Sequence, residues 1–215
     1  MDTWDRDRLW QAIKTERTRL AEDLEGLTDE QWRTTSLSSA WTVEETLAHL
    51  TAAGSTGKIA WLRSMVGSRF RTDVHNARLL AQHMGDSPAE TLRRFRTTIP
   101  SRIEPTRTTW AWLGEVVVHG MDVRVPLGIS SEPDHDAVEQ VALSYAAKDW
   151  AVNSSSAVED LELVATDGVF RYGEGPRVSG RTLELVMAMA GRPEFLDRLE
   201  GPGVQTLRTR FTRAA

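Results

Sequence analysis

The 215-residue sequence contains no cysteine. Disulfide bonds, zinc sites with thiolate ligands and catalysis by a thiol of the protein are therefore excluded. Any reaction of this chain that needs a thiol must take that thiol from a separate small molecule.

Long basic runs and long apolar runs are also absent. The net charge is −5, so the chain has no electrostatic footprint for nucleic acid, and we expect no nucleic-acid partner. No apolar stretch is long enough to cross a bilayer, and the N-terminal residues are too acidic and polar for a signal peptide. The composition, 40% hydrophobic and 27% charged, is that of an ordinary globular protein, which we expect in the cytoplasm without a membrane partner.

The first half of the sequence has the pattern of four helices joined by short connections. Capping boxes are predicted at Thr28–Gln31 and Thr42–Glu45. Gly54 and Gly57 weaken the second helix locally and indicate a close approach of a neighbouring helix or a ligand. The four predicted helices cover residues 4–25, 42–66, 73–99 with an interruption at 85–88, and 108–125. The last of them is predicted to end because Pro126 and Gly128 follow it. Short connections favour antiparallel neighbours, so residues 1–128 are predicted to form an antiparallel four-helix bundle.

The second half mixes helix and strand patterns. Residues 161–166 alternate as a strand should, and Asp167-Gly168 predicts a hairpin turn into a strand over 169–172. The other predicted elements are a helix over 134–152, a loop over 153–156, a strand over 177–179, a helix over 182–190 and a last strand over 204–211. We therefore predict an α+β fold, with the helical bundle at 1–128 and a smaller C-terminal α+β domain at 129–215.

The apolar stretch from Trp112 to Arg124 is interrupted by one carboxylate and one imidazole. In a helix, Glu115 and His119 lie one turn apart on the same face. Polar side chains are rarely buried without partners, so this pair needs an explanation. His49 lies in a second apolar helical stretch. We hypothesise that His49, Glu115 and His119 meet inside the bundle and bind one divalent metal ion.

A carboxylate with two imidazoles is a three-ligand set that suits catalytic zinc and leaves one coordination position open. The same set suits nickel, iron or manganese. Asp122 lies on roughly the same side and is expected to support a ligand from behind. Arg124 is either the cation at the C-terminal end of the helix or an anion contact at the rim of the site, and is a candidate for cofactor binding. The alternative to a metal site is a simple hydrogen-bonded pair, because the Glu115–His119 spacing arises by chance in many helices.

Other charged and aromatic residues are expected at the surface. His75 and His83 lie near the ends of a polar, arginine-rich helix, and His135 lies in an acidic linker. Surface or packing positions are predicted for Arg93, Arg94, Arg96, Arg171, Tyr172, Arg208 and Arg210, although the last four are also candidates for contacting an anionic cosubstrate.

Three segments together resemble a known family. They are Leu27-Thr-Asp-Glu-Gln-Trp32, Trp41-Thr-Val-Glu-Glu-Thr-Leu-Ala-His49-Leu50 and Glu115-Val-Val-Val-His119-Gly-Met-Asp122-Val-Arg124. The sequence is similar to the DinB-like metalloenzyme superfamily and, within it, to the mycothiol-dependent maleylpyruvate isomerase family. The segment 161–176, with 178–180 and 185–193, resembles the C-terminal domain of that family.

The resemblance implies a DinB-like four-helix bundle that binds zinc through His49, Glu115 and His119. It also implies mycothiol, a small-molecule thiol, as cosubstrate for isomerisation or S-transfer on a small electrophile. A bound divalent ion would stabilise a thiolate at neutral pH, and the thiolate is the nucleophile in such additions.

Two other functions remain open from the sequence. One is a metal-dependent hydrolase that uses a metal-bound hydroxide instead of a thiol. The other is a non-enzymatic metal-binding module, whose site would be closed by a fourth protein ligand. The sequence also leaves the physiological substrate open, and it fits either a monomer or a homodimer.

Overall fold

The computed structural model describes residues 4–38, 41–55, 57, 80–104, 108–150 and 152–214. The chain divides into two compact units, one of Trp4–Glu132 and one formed by Pro133–Ala215. The predicted division after Gly128 lies four residues before this point. Among the described residues, no helix is both long and apolar enough to cross a bilayer.

The first unit is helical. Its helices are α1 (Arg6–Asp23), α2 (Asp29–Trp32), α3 (Val43–Ser55), α4 (Pro88–Thr97) and α5 (Thr109–Leu127). Helix α1 packs against α4 and α5, and α3 packs against the same two helices. The core between them is apolar, with Leu20, Leu47, Phe95 and Val123 fully buried. The predicted extension of α3 to Val66 and the predicted helix before residue 80 lie outside the described residues.

The predicted helix starts are confirmed by their hydrogen bonds. The Thr28 hydroxyl accepts from the backbone of Gln31, and the Gln31 side chain accepts from the backbone of Thr28. Thr42 and Glu45 make the same reciprocal pair at the start of α3. Ser87 caps α4, with Pro88 as its first residue. These local signals set where the helices begin.

Gly54 lies at a close helix contact, as predicted, whereas a Cβ on Gly57 would meet no atom of the described residues within 4 Å. A Cβ on Gly54 would lie 2.8 Å from the Thr98 Cβ and 3.1 Å from the Arg17 guanidinium. That guanidinium donates to the carbonyls of Thr98 and Ser101 at 2.7 and 3.0 Å. Burial lowers the pKa of Arg17 to about 10. The neighbour at Gly54 is therefore the protein itself, in the form of a buried arginine and the end of α4.

The predicted end of the fourth helix is wrong at Pro126, because α5 continues through this proline to Leu127. Gly128, in the left-handed region at φ 66°, ends the helix instead. A proline has no N–H, so the carbonyl of Asp122 loses its helical donor. The backbone N–H of Leu37 donates to that carbonyl at 3.0 Å and satisfies it.

The second unit contains the three-stranded sheet. Strand β1 (Glu162–Ala165) lies between β2 (Arg171–Tyr172), which is antiparallel, and β3 (Arg177–Gly180), which is parallel. Leu163 pairs with Tyr172 on one side and Val178 on the other. The remaining elements are α6 (His135–Ala147), α7 (Ser154–Ala157), α8 (Thr182–Met189), a 3₁₀ helix (Pro193–Arg198) and α9 (Val204–Ala214). Mixed helices with a small sheet confirm the α+β class.

Two elements of this unit differ from the prediction because of one aspartate. The Asp149 carboxylate accepts from the backbone N–H groups of Ser155 and Ser156 at 2.8 and 3.1 Å. It therefore caps the short helix α7 where a loop was predicted. Because Asp149 belongs to this cap, α6 ends at Ala147 rather than at Val152. The hydrogen bond from the Ser156 hydroxyl lowers the pKa of Asp149.

The predicted last strand is also wrong, because residues Val204–Ala214 form the helix α9. Val204, Leu207 and Phe211 recur at intervals of three and four, which is the spacing of one helix face. Leu207 is fully buried. No strand from this segment pairs with β3. Its outer edge instead forms an isolated antiparallel bridge between Ser179 and Glu200.

Candidate metal centre

Helices α3 and α5 bring together the three side chains that the sequence selected. The ligand atoms of His49, Glu115 and His119 all lie within 4.8 Å of one another. The Glu115 carboxylate is 3.1 Å from Nε2 of His49 and 3.5 Å from Nε2 of His119. Within the described part of the chain, no second group of three potential metal ligands converges in this way.

Local structure explains this convergence. Glu115 and His119 are four residues apart on α5, so their side chains meet on one face. His49 comes from α3, whose start is fixed by the Thr42–Glu45 capping box and whose body packs against α5. His49 lies about two helical turns after this cap and therefore faces α5.

The three side chains are largely shielded from solvent. The exposed fractions are 18% for His49, 16% for Glu115 and 13% for His119. All three side chains are thus mostly removed from water but keep some contact with solvent. Electrostatic interactions are stronger in such surroundings than in water.

Asp122 lies behind His119. Its carboxylate is 2.9 Å from Nδ1 of His119 and is fully buried. This contact places the proton of a neutral imidazole on Nδ1 and leaves Nε2, which faces Glu115, as an electron-pair donor. Asp122 thus lies beside His119, and its support of a metal ligand stays a prediction.

The donor set fits a divalent cation. In a tetrahedral zinc site with bonds of about 2.0–2.1 Å, neighbouring ligand atoms lie roughly 3.3–3.4 Å apart. The distances of 3.1 and 3.5 Å from Glu115 to the two imidazoles are close to that value. Glu115 and Asp122 also place two carboxylates beside the two imidazoles, and a cation would compensate that negative charge.

Trp41 is the residue of this site that our reading of the sequence missed. Its ring centroid lies 4.7 Å from that of His49, with an interplanar angle of 31°, and 6.1 Å from that of His119. Two signals in the sequence could have found it: Trp41 directly precedes the Thr42 cap, and it opens the segment up to Leu50 that carries the family resemblance.

Arg124 does not lie at a rim. It is 1% exposed, and its Nε donates to the Asp23 carboxylate at 2.7 Å. Its position on the last turns of α5 explains this, because that part of α5 packs on α1. The guanidinium therefore joins two helices from the last turn of α5, the place that the first of the two alternatives gave it, and its burial does not fit an anion contact at the rim of the site.

The two other histidines that the structure describes do not join the site. His135 is exposed, as expected, and begins α6, 3.9 Å from the Asp167 carboxylate. His83 is half-buried rather than exposed, and burial followed by the charge of Arg94 lowers its pKa. His75 lies outside the described residues.

The charged surface positions are mostly as predicted. Arg93 and Arg96 are exposed on α4, and Arg171 and Tyr172 are exposed on β2. Arg208 and Arg210 are half-buried and lie on α9, not on a strand. Arg208 donates to Asp197, and Arg210 donates to the carbonyls of Ala157 and Glu159.

The comparisons with known proteins point to one family. Residues 13–104 match the family model of the mycothiol maleylpyruvate isomerase N-terminal domain. Among curated proteins, none matches the chain.

Two solved structures have the same fold. One is the mycothiol-dependent maleylpyruvate isomerase, with 14% identity and a TM-score of 0.65. The other is a variant of that isomerase in which one histidine is replaced by alanine, with 15% identity and a TM-score of 0.65. Each comparison covers 94% of this chain and 96% of the other.

The predicted resemblance is therefore confirmed. This chain has the fold of the mycothiol-dependent maleylpyruvate isomerase, and its residues 13–104 match the model of the mycothiol maleylpyruvate isomerase N-terminal domain.

Proposed function

We propose that this chain is a metal-dependent enzyme that activates mycothiol for S-transfer to, or cis–trans isomerisation of, a small electrophile. The observation that carries the proposal is the convergence of His49, Glu115 and His119 in a chain with this family match. The prediction of an enzyme agrees with the comparisons, since both solved structures are of an isomerase.

The finer architecture that we propose is a DinB-like antiparallel four-helix bundle made of α1, α3, α4 and α5. This arrangement is supported by the packing of α1 and α3, each of which contacts both α4 and α5. A ring of four helices with facing apolar sides can place polar groups from different helices in its centre. The domains that we propose remain a bundle at 1–128 and an α+β domain at 129–215, and a cytoplasmic location stays a prediction from the sequence.

In this proposal His49, Glu115 and His119 hold the metal, which is zinc or another divalent ion such as nickel. When bound, such an ion lowers the pKa of a thiol that reaches its open position. Three protein ligands, rather than four, leave that position vacant. Asp122 keeps His119 in the tautomer that can donate to the ion.

The chain's own composition supports the use of an external thiol. Without cysteine, no residue of the chain can supply a competing thiolate ligand or form a mixed disulfide with the cosubstrate. The thiolate nucleophile must therefore be that of the small molecule.

An assay with and without mycothiol tests the proposed reaction. The zinc-loaded protein is incubated with maleylpyruvate and with a set of other small electrophiles. We expect conversion only when mycothiol is present, at a rate at least about tenfold above that of mycothiol alone. His135→Ala, a change at an exposed histidine outside the site, should match the wild type.

The same assay separates the rival reaction. Hydrolysis that is independent of added thiol would contradict the proposal and favour a hydrolase. Absence of conversion for every electrophile, in protein that has bound zinc, would favour a binding module.

A further inference from the structure

Pro126 leaves one carbonyl of α5 without its helical donor. The residue four positions before it is Asp122, whose carbonyl would otherwise accept from the N–H of residue 126. Leu37 donates its backbone N–H to this carbonyl at 3.0 Å. The bond joins α5 to the loop that precedes α3.

That loop ends in Trp41, and backbone hydrogen bonds fix its course. The N–H of Ser36 donates to the Trp41 carbonyl at 2.9 Å, and the N–H of Trp41 donates to the Ser38 carbonyl at 2.8 Å. Thr35 and Thr42 form an antiparallel bridge across the base of the loop. We call residues 34–38 with 41–42 the Trp41 loop. Because Leu37 lies inside it, its bond to α5 anchors the whole loop.

The two imidazoles of the candidate centre are held in different ways. Nδ1 of His119 has the Asp122 carboxylate at 2.9 Å. Among the residues that the structure describes, none hydrogen-bonds to Nδ1 of His49. His49 instead lies against the Trp41 ring at a centroid distance of 4.7 Å. Metal-binding imidazoles are oriented by such neighbours, so Trp41 takes for His49 the place that Asp122 takes for His119.

We propose that Pro126 is a positioning residue for the metal centre, because it frees the Asp122 carbonyl to anchor the Trp41 loop and so hold Trp41 against His49. Asp122 then orients both imidazoles, His119 through its carboxylate and His49 through its carbonyl and the loop. The positioning of His49 by Trp41 rests on the proposed metal-binding function. The anchoring of the loop does not, because it exists without a metal.

Hydrogen exchange in the metal-free protein tests the anchoring. In Pro126→Ala the new N–H competes with Leu37 for the Asp122 carbonyl. We expect the Leu37 amide to exchange at least about tenfold faster than in the wild type, since the weakened bond opens more often. Pro88→Ala is the matched control, because a first helical residue has no carbonyl acceptor for its new N–H. Unchanged exchange of Leu37 in Pro126→Ala would overturn the positioning role of Pro126, because the Asp122 carbonyl would then hold Leu37 without it.

Zinc affinity, measured by competition with a chelator, tests the positioning. We expect Trp41→Ala to bind zinc about 10- to 100-fold more weakly, and Pro126→Ala to shift in the same direction. Trp41→Phe keeps an aromatic face and should stay within about threefold of the wild type. Wild-type affinity in Trp41→Ala would overturn the positioning while leaving the proposed function intact. A wild type without zinc binding would overturn the proposed function and the positioning, but not the anchoring that Leu37 exchange reports.

Discussion

Alanine at His49 or at His119 is expected to reduce bound metal from about one equivalent to less than a tenth of an equivalent. Each change removes one of three protein ligands, and two remaining ligands cannot hold the ion against solvent and buffer. Glu115→Gln should also reduce the amount of bound metal, because an amide oxygen is a weaker ligand than a carboxylate. Metal analysis of purified, dialysed protein gives the result directly.

Two controls separate ligand loss from misfolding. His135→Ala removes an exposed imidazole from α6 and should retain the full equivalent. Circular dichroism should show unchanged helix content in the His49 and His119 variants. Full metal retention in both the His49 and the His119 variants would show that the ion is held elsewhere.

Asp23→Ala is expected to lower the free energy of unfolding by about 3–5 kcal/mol. Asp23 accepts from the guanidinium of Arg124, which is 1% exposed, at 2.7 Å. Removing the carboxylate leaves a buried cation without its counter-charge, and that loss is far larger than the net worth of the pair. Urea unfolding followed by tryptophan fluorescence measures it, since seven of the eight tryptophans precede residue 133.

An exposed ion pair next to the same helix provides the comparison. Glu25 pairs with Arg96, and their side chains are 64% and 41% exposed. Glu25→Ala should therefore cost less than about 1 kcal/mol. Equal losses in the Glu25 and Asp23 variants would contradict a burial-dependent role for the Asp23–Arg124 pair.

The sequence predicted those parts of the fold that depend on local signals. The starts of α2 and α3 depend on side chains within three residues of the cap, and both were predicted. The hairpin at Asp167-Gly168 depends on a similarly short pattern. The helix of residues 204–214 was misread as a strand, because a short apolar pattern fits either period until its packing is known.

The candidate site was predictable to the extent that its ligands lie in one helix. Glu115 and His119 follow from a four-residue spacing, whereas the convergence of His49 with them was a hypothesis from a second apolar helical stretch, which the family resemblance supported. The contact of Trp41 with His49 depends on a loop anchored by Leu37, which is 85 positions from Asp122 in the chain. A contact that spans such a distance leaves no local periodicity in the sequence.

Pro126 shows why the expected end of α5 was wrong. Within a single helix the missing N–H is a defect, and the sequence was interpreted in that way. In the folded unit the freed carbonyl of Asp122 has a donor from another segment. The cost of the proline is thus removed by a tertiary contact, and the helix continues to Gly128.

X-ray absorption at the zinc edge, with and without mycothiol, is the most direct measurement of the central claim. The account predicts only nitrogen and oxygen ligands in the absence of thiol, in numbers that match two imidazoles and one carboxylate plus water. On addition of mycothiol, one sulfur should appear at about 2.3 Å. Since the chain has no cysteine, that thiolate sulfur can come only from the cosubstrate. A coordination shell that mycothiol leaves unchanged, or one closed by four protein side chains, would contradict the account.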